Sequence, residues 1–393
     1  MNNQPRNTAL PKLRFPEFRE AEPWVEKSFE SLFTIGSGRD YKHLSKGDIP
    51  MYGSGGYMLS VNDYLYDGES VCIGRKGTID KPMFLSGKFW TVDTLFFTHS
   101  FQKCLPNFVY LLFQNVDWLK HNEAGGIPSL SKTIINAIKA YVPTLPEQQK
   151  IAATFSSLDD LLTAQTAKLT ALQAHKRGLM QALFPAEEET VPKLRFPEFQ
   201  EEDEWKEKAL GEIVTFSSGG TPSKDKPEFW NGDTPWISAS SMHDYVIDES
   251  ELYITDAAKK AGAAIASKGV LLLLVRGSML FKRIPMGITA REVAYNQDVK
   301  ALHLVKGITP LYLLYYLISA ESLLLGKVSA TGIGAGKLDT SELKQFPVLI
   351  PSSAEQQKIA DCLTSLDVRI TAQVQKIKSF KLYRKGMMQS LFP

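Results

Sequence analysis

The chain has 393 residues, of which 44% are apolar, 22% charged and 10% aromatic, and its formal net charge is +2. That length calls for more than one domain, each with its own core, and the near balance of charge argues against a basic coat that grips nucleic acid regardless of sequence. The longest apolar run, at 270–275, is far too short to cross a membrane, and MNNQPRNTAL at the start lacks the apolar core of a secretory signal, so a cytoplasmic protein with no membrane partner is expected.

In chain order, the first signal is a repeat. PKLRFPEF at 11–18 returns at 192–199, and Pro11 to Gly38 maps onto Pro192 to Gly219 at a constant offset of 181, placing Trp24 on Trp205 and Lys27 on Lys208. EQQKIA at 147–152 returns at 355–360, and LFP closes both copies at 183–185 and 391–393, here at an offset of 208. The second insert is therefore 27 residues longer than the first. Between the frames only faint echoes survive: GDIPMYGS (47–54) with GDTPWISA (232–239), VCIGRKGT (71–78) with LLVRGSML (273–280), TVDTLFF (91–97) with NQDVKAL (296–302), and GGIPSLS (125–131) with TGIGAGKLD (331–339). Short β-type runs, glycine-rich turns and one apolar helical stretch per copy (107–116 and 311–318) predict a mixed α/β globule in each, without fixing strand order. AEEET at 186–190 reads as a short polar linker.

Each copy closes on a different kind of segment. No Pro or Gly interrupts 147–177, Pro146 and Glu147 suit a first helical turn, and Pro185 stops the helix. The apolar spacing alternates four and three through Ile151, Phe155, Leu158, Leu162, Gln165, Leu169, Leu172, Lys176, Leu179 and Leu183. The second copy keeps it through Ile359, Leu363, Leu366, Ile370, Gln373, Ile377, Phe380, Arg384, Met387 and Leu391. This 3.5-residue period predicts a coiled coil. Antiparallel packing would set Gln165 against Gln373, Ile151 against Met387, Leu158 against Phe380, Leu172 against Leu366 and Leu179 against Ile359. Lys176 and Arg384 would then reach water near the ends. The competing reading leaves each Gln as a tolerated polar residue facing something else. Helices of this length run to roughly 57 Å, a ruler between two globules; DNA half-sites about one helical turn apart would face the same side of such a molecule. The expected fold class is thus α/β: two mixed α/β domains (1–145 and 186–350) joined by two long helices (146–185 and 351–393) in an antiparallel coiled coil with a pseudo-twofold repeat.

No catalytic constellation is evident. GIGAGKL at 332–338 fails the phosphate-loop pattern at Thr331 and Leu338, and His43, His99, His121, His175, His243 and His303 never fall at metal-ligand spacing. Cys72, Cys104 and Cys362 are far apart and odd in number, which fits reduced thiols. There is no amino-methyltransferase tetrad and no Gly-x-Ser-x-Gly elbow. Features suited to DNA are local. Arg75, Lys76 and Thr78 sit in a glycine-flanked turn, and Arg276, Ser278, Lys282 and Arg283 recur at a matching place in the second copy. Arg reads guanine bidentately, and Lys or Ser holds phosphate. Tyr52, Ser54, Ser129 and Ser131 are further candidates in the first insert, as are Thr221, Ser223, Lys224, Ser238, Ser240 and Lys337 in the second. For each the competing reading is a solvated loop side chain, and for Arg75 and Arg276 a structural role in a repeated fold.

PxLRFPEF opening each copy, GGTPS (219–223) before FWNGDTPWIS (229–238), IGRKGT (73–78) before FWTVDT (89–94), and a proline leading into EQQKIA together resemble the specificity subunits of type I restriction–modification systems. The resemblance spans nearly the whole chain. It implies two target-recognition domains, each reading one half of a split double-stranded DNA site, and paired helices that set the spacer and dock two modification subunits. Those partners would carry S-adenosylmethionine and methylate a flipped-out adenine; restriction subunits using ATP would join them. No catalysis or cofactor would belong to this chain, and the partners would supply much of the phosphate contact. The unlike inserts imply a non-palindromic target. The alternatives are a tandem coiled-coil structural or interaction protein without DNA specificity, and a self-sufficient methyltransferase or nuclease.

Overall fold

A computed structural model describes residues 7–331 and 334–393; the first six residues and Gly332–Ile333 of the glycine-rich loop lie outside it. The chain divides into two compact units, one built from Met1–Ala167 with Gln375–Pro393, the other from Lys168–Val374. Each unit takes a stretch of both long helices.

The strand order that the sequence left open is the same in both units. In the first, an antiparallel sheet runs Thr34–Ser37, Leu95–His99, Ser70–Gly74, Met83–Leu85. In the second, the order is Val214–Ser218, Val299–Leu304, Leu271–Leu274, Met286–Thr289, with Val246–Ile247 added at the edge. A second sheet also recurs: Gly56–Val61, Lys46–Gly53, Lys88–Thr91, Tyr66–Asp67 in the first unit, and Tyr253–Ile254, Trp230–Ile237, Val293–Tyr295, Ile265–Ala266 in the other. In both, the middle two strands are parallel. Gly38 and Gly219, where the sequence repeat ends, share one cause. A Cβ on Gly38 would lie 1.9 Å from the Val92 carbonyl oxygen, and one on Gly219 2.1 Å from that of Asn296. Only glycine allows the chain so close to the turn that ends the neighbouring strand.

The apolar stretches form helices Pro106–Asn115 and Pro310–Ser319, each with proline in its first turn. Phe108 and Phe113 join Trp24, Phe29 and Trp118 in the core of the first unit. Tyr312 and Leu317 join Trp205, Leu271–Leu274 and Leu302 in that of the second. These side chains are nearly all without solvent contact.

The repeated sequence motifs meet one another. Arg14 donates from Nε and Nη2 to the Glu147 carboxylate at 2.8 and 2.7 Å, and from Nη1 and Nη2 to the carbonyls of Ala21 and Glu22. Arg195 does the same to Glu355 (2.9 and 2.9 Å) and to the carbonyls of Glu202 and Asp203. One residue on, Gln148 accepts from the Leu105 N–H that opens the apolar helix and donates to Lys103 and Pro143, while Gln356 accepts from Thr309 and donates to Gly307 and Pro351. Lys150 pairs with Glu17, and Lys358 with Glu198. The hydrogen bond to Glu147 raises the pKa of the Arg14 guanidinium, as the bond to Glu355 raises that of Arg195. The FPEF segment is thereby fastened to the start of its long helix in each unit.

The long helices run Leu145–Leu183 and Ser353–Leu391, and every seam position named above is buried or half-buried. In the first unit Arg384 donates to Asp159 at 2.6 and 2.9 Å and to Gln114. In the second, Lys176 donates to Asp367 at 2.6 and 2.8 Å, Tyr315 donates to the same carboxylate, and the ammonium lies 5.0 Å from the Tyr245 ring centre. The early part of one helix thus meets the late part of the other within each unit, so the helices pack antiparallel there. Lys176 and Arg384 do not reach out to water as expected: the carboxylate one turn away on the facing helix is a nearer and better partner, and Lys176 is only 8% exposed.

Breaking a buried ion pair strands its partner, at a cost of roughly 3–5 kcal/mol. Glu147→Ala and Glu355→Ala are expected to lower stability on that scale in their own units, read by denaturant unfolding and unit-resolved hydrogen exchange. Glu147→Ala should cost about 1 kcal/mol more, because Trp24 Nε1 also donates to Glu147 whereas Trp205 Nε1 has no partner among the described residues. Asp367→Ala should cost more than Asp159→Ala, since Lys176 is the more buried cation (side-chain exposure 10% against 20% for Arg384).

Candidate nucleic-acid interface

In the first unit the candidates gather around the turn that follows Lys88–Thr91. The N–H groups of Arg75 and Lys76 both donate to the Thr94 carbonyl, Gly77 donates to Pro128, and Leu130 donates to Arg75. Lys76 and Ser129 form an isolated antiparallel bridge. Gly77 has φ +93°, the left-handed region that glycine adopts at low cost. A Cβ there would lie 3.2 Å from Ser54 Oγ, so Ser54 borders the same turn. Tyr52 holds its neighbour through its carbonyl, which accepts from Val92, and its ring lies 6.1 Å from that of Tyr57. Arg75 and Lys76 are exposed; Arg75 extends over the Phe96 ring. Ser131 is committed locally: its hydroxyl caps helix Lys132–Ala137 by accepting from Ile134. Thr78 is half-buried beside Gly74.

The second unit repeats this hydrogen bonding, and doing so corrects the sequence match. Val275 donates to Asp298 as Arg75 does to Thr94, and Leu338 donates to Val275 as Leu130 does to Arg75. The equivalent of Arg75 is therefore Val275, and Arg276 stands where Lys76 does. Periodicity missed this because the strand entering each turn is uniformly buried and offers no alternation to fix register. Arg276 pairs across the strands with Lys337, as Lys76 does with Ser129. Ser238 and Ser240 share a hydrogen bond just after the strand whose Ile237 carbonyl accepts from Asn296, and Thr221 donates to Gln297. Trp230 and Trp236 donate their indole N–H groups to Ser223 and Gly220 and hold the loop that carries exposed Lys224. Ser278 and Lys282 are exposed on the turn beyond Arg276. Arg283 is elsewhere engaged, donating to the carbonyls of Met242 and His243.

Sequence reasoning passed over Glu123 and Ser329. Glu123 donates its N–H to the Ser129 carbonyl, and Ser329 lies opposite Lys337. Nothing in a linear pattern marks either, because strand pairing brings Ser329 to its turn and a single backbone hydrogen bond brings Glu123 to the other. A serine, a histidine and a tyrosine also meet: Ser217 Oγ lies 2.8 Å from His303 Nε2 and 2.8 Å from the Tyr295 hydroxyl. His303 is exposed and has no carboxylate on its other nitrogen among the described residues. Burial pushes the thiols of Cys72 and Cys104 up to about 12, which makes them poor nucleophiles. Among the described residues no cluster of His, Cys, Asp and Glu could hold a metal, and no helix is long and apolar enough to cross a membrane.

A family model described as the type I restriction modification DNA specificity domain matches residues 21–174 and again 202–379. The chain is 36% identical over 168 residues to the EcoR124I/EcoR124II specificity subunit of Escherichia coli, and the match covers 42% of this chain and 41% of that one. It is 31% identical over 182 residues to the MjaIX specificity subunit of Methanocaldococcus jannaschii, covering 43% and 41%. The chain thus spans about two fifths of the length of these curated relatives. The MjaVIII specificity subunit of the same organism is 23% identical over 352 residues, covering 85% of this chain and 79% of the relative. In fold, the crystal structure of a type I restriction–modification S subunit from M. genitalium matches with a TM-score of 0.67 at 15% identity, covering 98% of this chain and 99% of that one. With the family model matching most of both repeats, this chain belongs to the type I restriction–modification DNA specificity family.

Proposed function

We propose that this chain reads a bipartite, asymmetric site on double-stranded DNA in the cytoplasm, one half through residues 1–145 and the other through 186–350. The observation that carries this reading is one strand order, used twice, around exposed turns of unlike chemistry. A common scaffold presents each turn alike, and different side chains at equivalent positions give different half-sites. The segments 146–185 and 351–393 set the spacer, supported by two uninterrupted 39-residue helices. A coiled-coil interaction protein would need neither the repeated sheets nor the exposed basic turns.

Two copies of a modification subunit dock on the repeated frame. Supporting this, Leu10 and Leu13 are 61% and 48% exposed, and their repeat equivalents Val191 and Leu194 are 41% and 45% exposed. The same apolar pair is thus presented once per unit, as two copies of one partner require. S-adenosylmethionine resides on those partners and ATP on the restriction subunits that join them.

Exchanging residues 20–142 for the equivalent segment of another family member is expected to change one half-site only, read by mapping adenine methylation with the modification subunits present. Inserting four residues, about one helical turn, into both long helices should lengthen the spacer and leave both halves intact; an unchanged spacer refutes the ruler. Leu13→Asp alone should release one modification subunit of two, and Leu13→Asp with Leu194→Asp both, as native mass spectrometry would record.

A further inference from the structure

The equivalence of the two turns exposes a difference between them. In the second unit Arg276, Lys337 and Ser329 stand directly across from one another on adjacent antiparallel strands, so their side chains share one face, and all three are exposed. Like charges placed opposite on a sheet destabilise it. Asp339 takes the Lys337 ammonium at 2.8 Å, but Arg276 has no carboxylate partner among the described residues. The row is left with surplus positive charge and, Ser329 aside, nothing but donors. In the first unit Lys76 bridges Ser129, and Glu123 is tied to the far side of Ser129 by its N–H, so the corresponding residues are a cation, a hydroxyl and a carboxylate. Lys76 and Glu123 are exposed, and neither has an ion-pair partner among the described residues.

We infer that these two rows determine which base each unit reads: Arg276 and Lys337 take the acceptor edge of a guanine, and Glu123 accepts from the amino group of a cytosine or adenine while Lys76 takes a neighbouring acceptor. This rests on the proposal that each unit reads a half-site. Guanine shows N7 and O6, both acceptors, in the major groove, which suits a row of donors. A carboxylate facing DNA is repelled by phosphate and by guanine O6 and N7, so Glu123 is tolerated only where it meets an amino donor, and it rejects the bases the second row prefers. The charge difference between the rows gives the two halves unlike targets from like scaffolds.

The test uses the full chain in complex with its modification subunits, methylating a DNA library randomised over the site at two salt concentrations. Arg276→Ala with Lys337→Ala should reduce discrimination at one guanine of one half-site by about ten- to a hundred-fold, the range of one good base contact. Glu123→Gln should relax a single position in the other half. Ser129→Lys with Glu123→Ser, which gives the first unit the second row's charge pattern of two cations and a hydroxyl, should turn that position towards guanine. The unaltered half-site and spacer report that each variant folds. An unchanged motif in all three variants overturns the inference. So does an even loss across all sequences with a shallower salt dependence, which marks phosphate contact. A wild-type complex that methylates without any two-part motif overturns the half-site reading, and the rows with it.

Discussion

The interaction on which each unit depends is a buried arginine–glutamate pair at the root of a long helix. Arg14 with Glu147, and Arg195 with Glu355, fasten the opening segment of each copy to the helix that closes it. The exposures of the four side chains range from 1% to 8%, so neither charge could be left alone. The adjacent glutamines carry the same root to the apolar helix, through Leu105 in one unit and Thr309 in the other. Each mixed α/β globule is thereby set on its helix by two successive side chains of one short motif, and its exposed turns inherit that placement.

A second pair of contacts fixes how the helices meet. Asp159 and Asp367 occupy matching positions in the two copies, as do Lys176 and Arg384, and each acid pairs with the base of the other helix. These part-buried ion pairs add little net stability over apolar pairs, but they select against a slipped register. In the second unit Tyr315 and Tyr245 enclose the same cation, which joins the helix to the globule. The scaffold is thus held symmetrically while the turns it carries diverge.

Much of this was legible in the linear sequence. The repeat located both frames, the heptad pattern located both helices and their seam, and the glycine-flanked basic turn was visible at Arg75 and Lys76. What misled was the match between turns. The runs VCIG and LLLL are buried on both faces and have no period that could place one on the other, so Arg276 was matched to Arg75 when hydrogen bonding matches it to Lys76. Lys176 and Arg384 read as chains reaching for water because their carboxylate partners lie 191 and 225 residues away.

The sequence by itself determined the architecture: two copies, two helices, two unlike inserts, and the motifs that pin them. Such features are local or periodic, and composition along a few turns of chain expresses them fully. Only the tertiary structure decided that LRFPEF and EQQK exist to bind each other, that the two inserts share one strand order, and that Glu123 and Ser329 stand in line with the basic turns. Those are facts of strand pairing and cross-chain contact, and distance along the chain carries no trace of them.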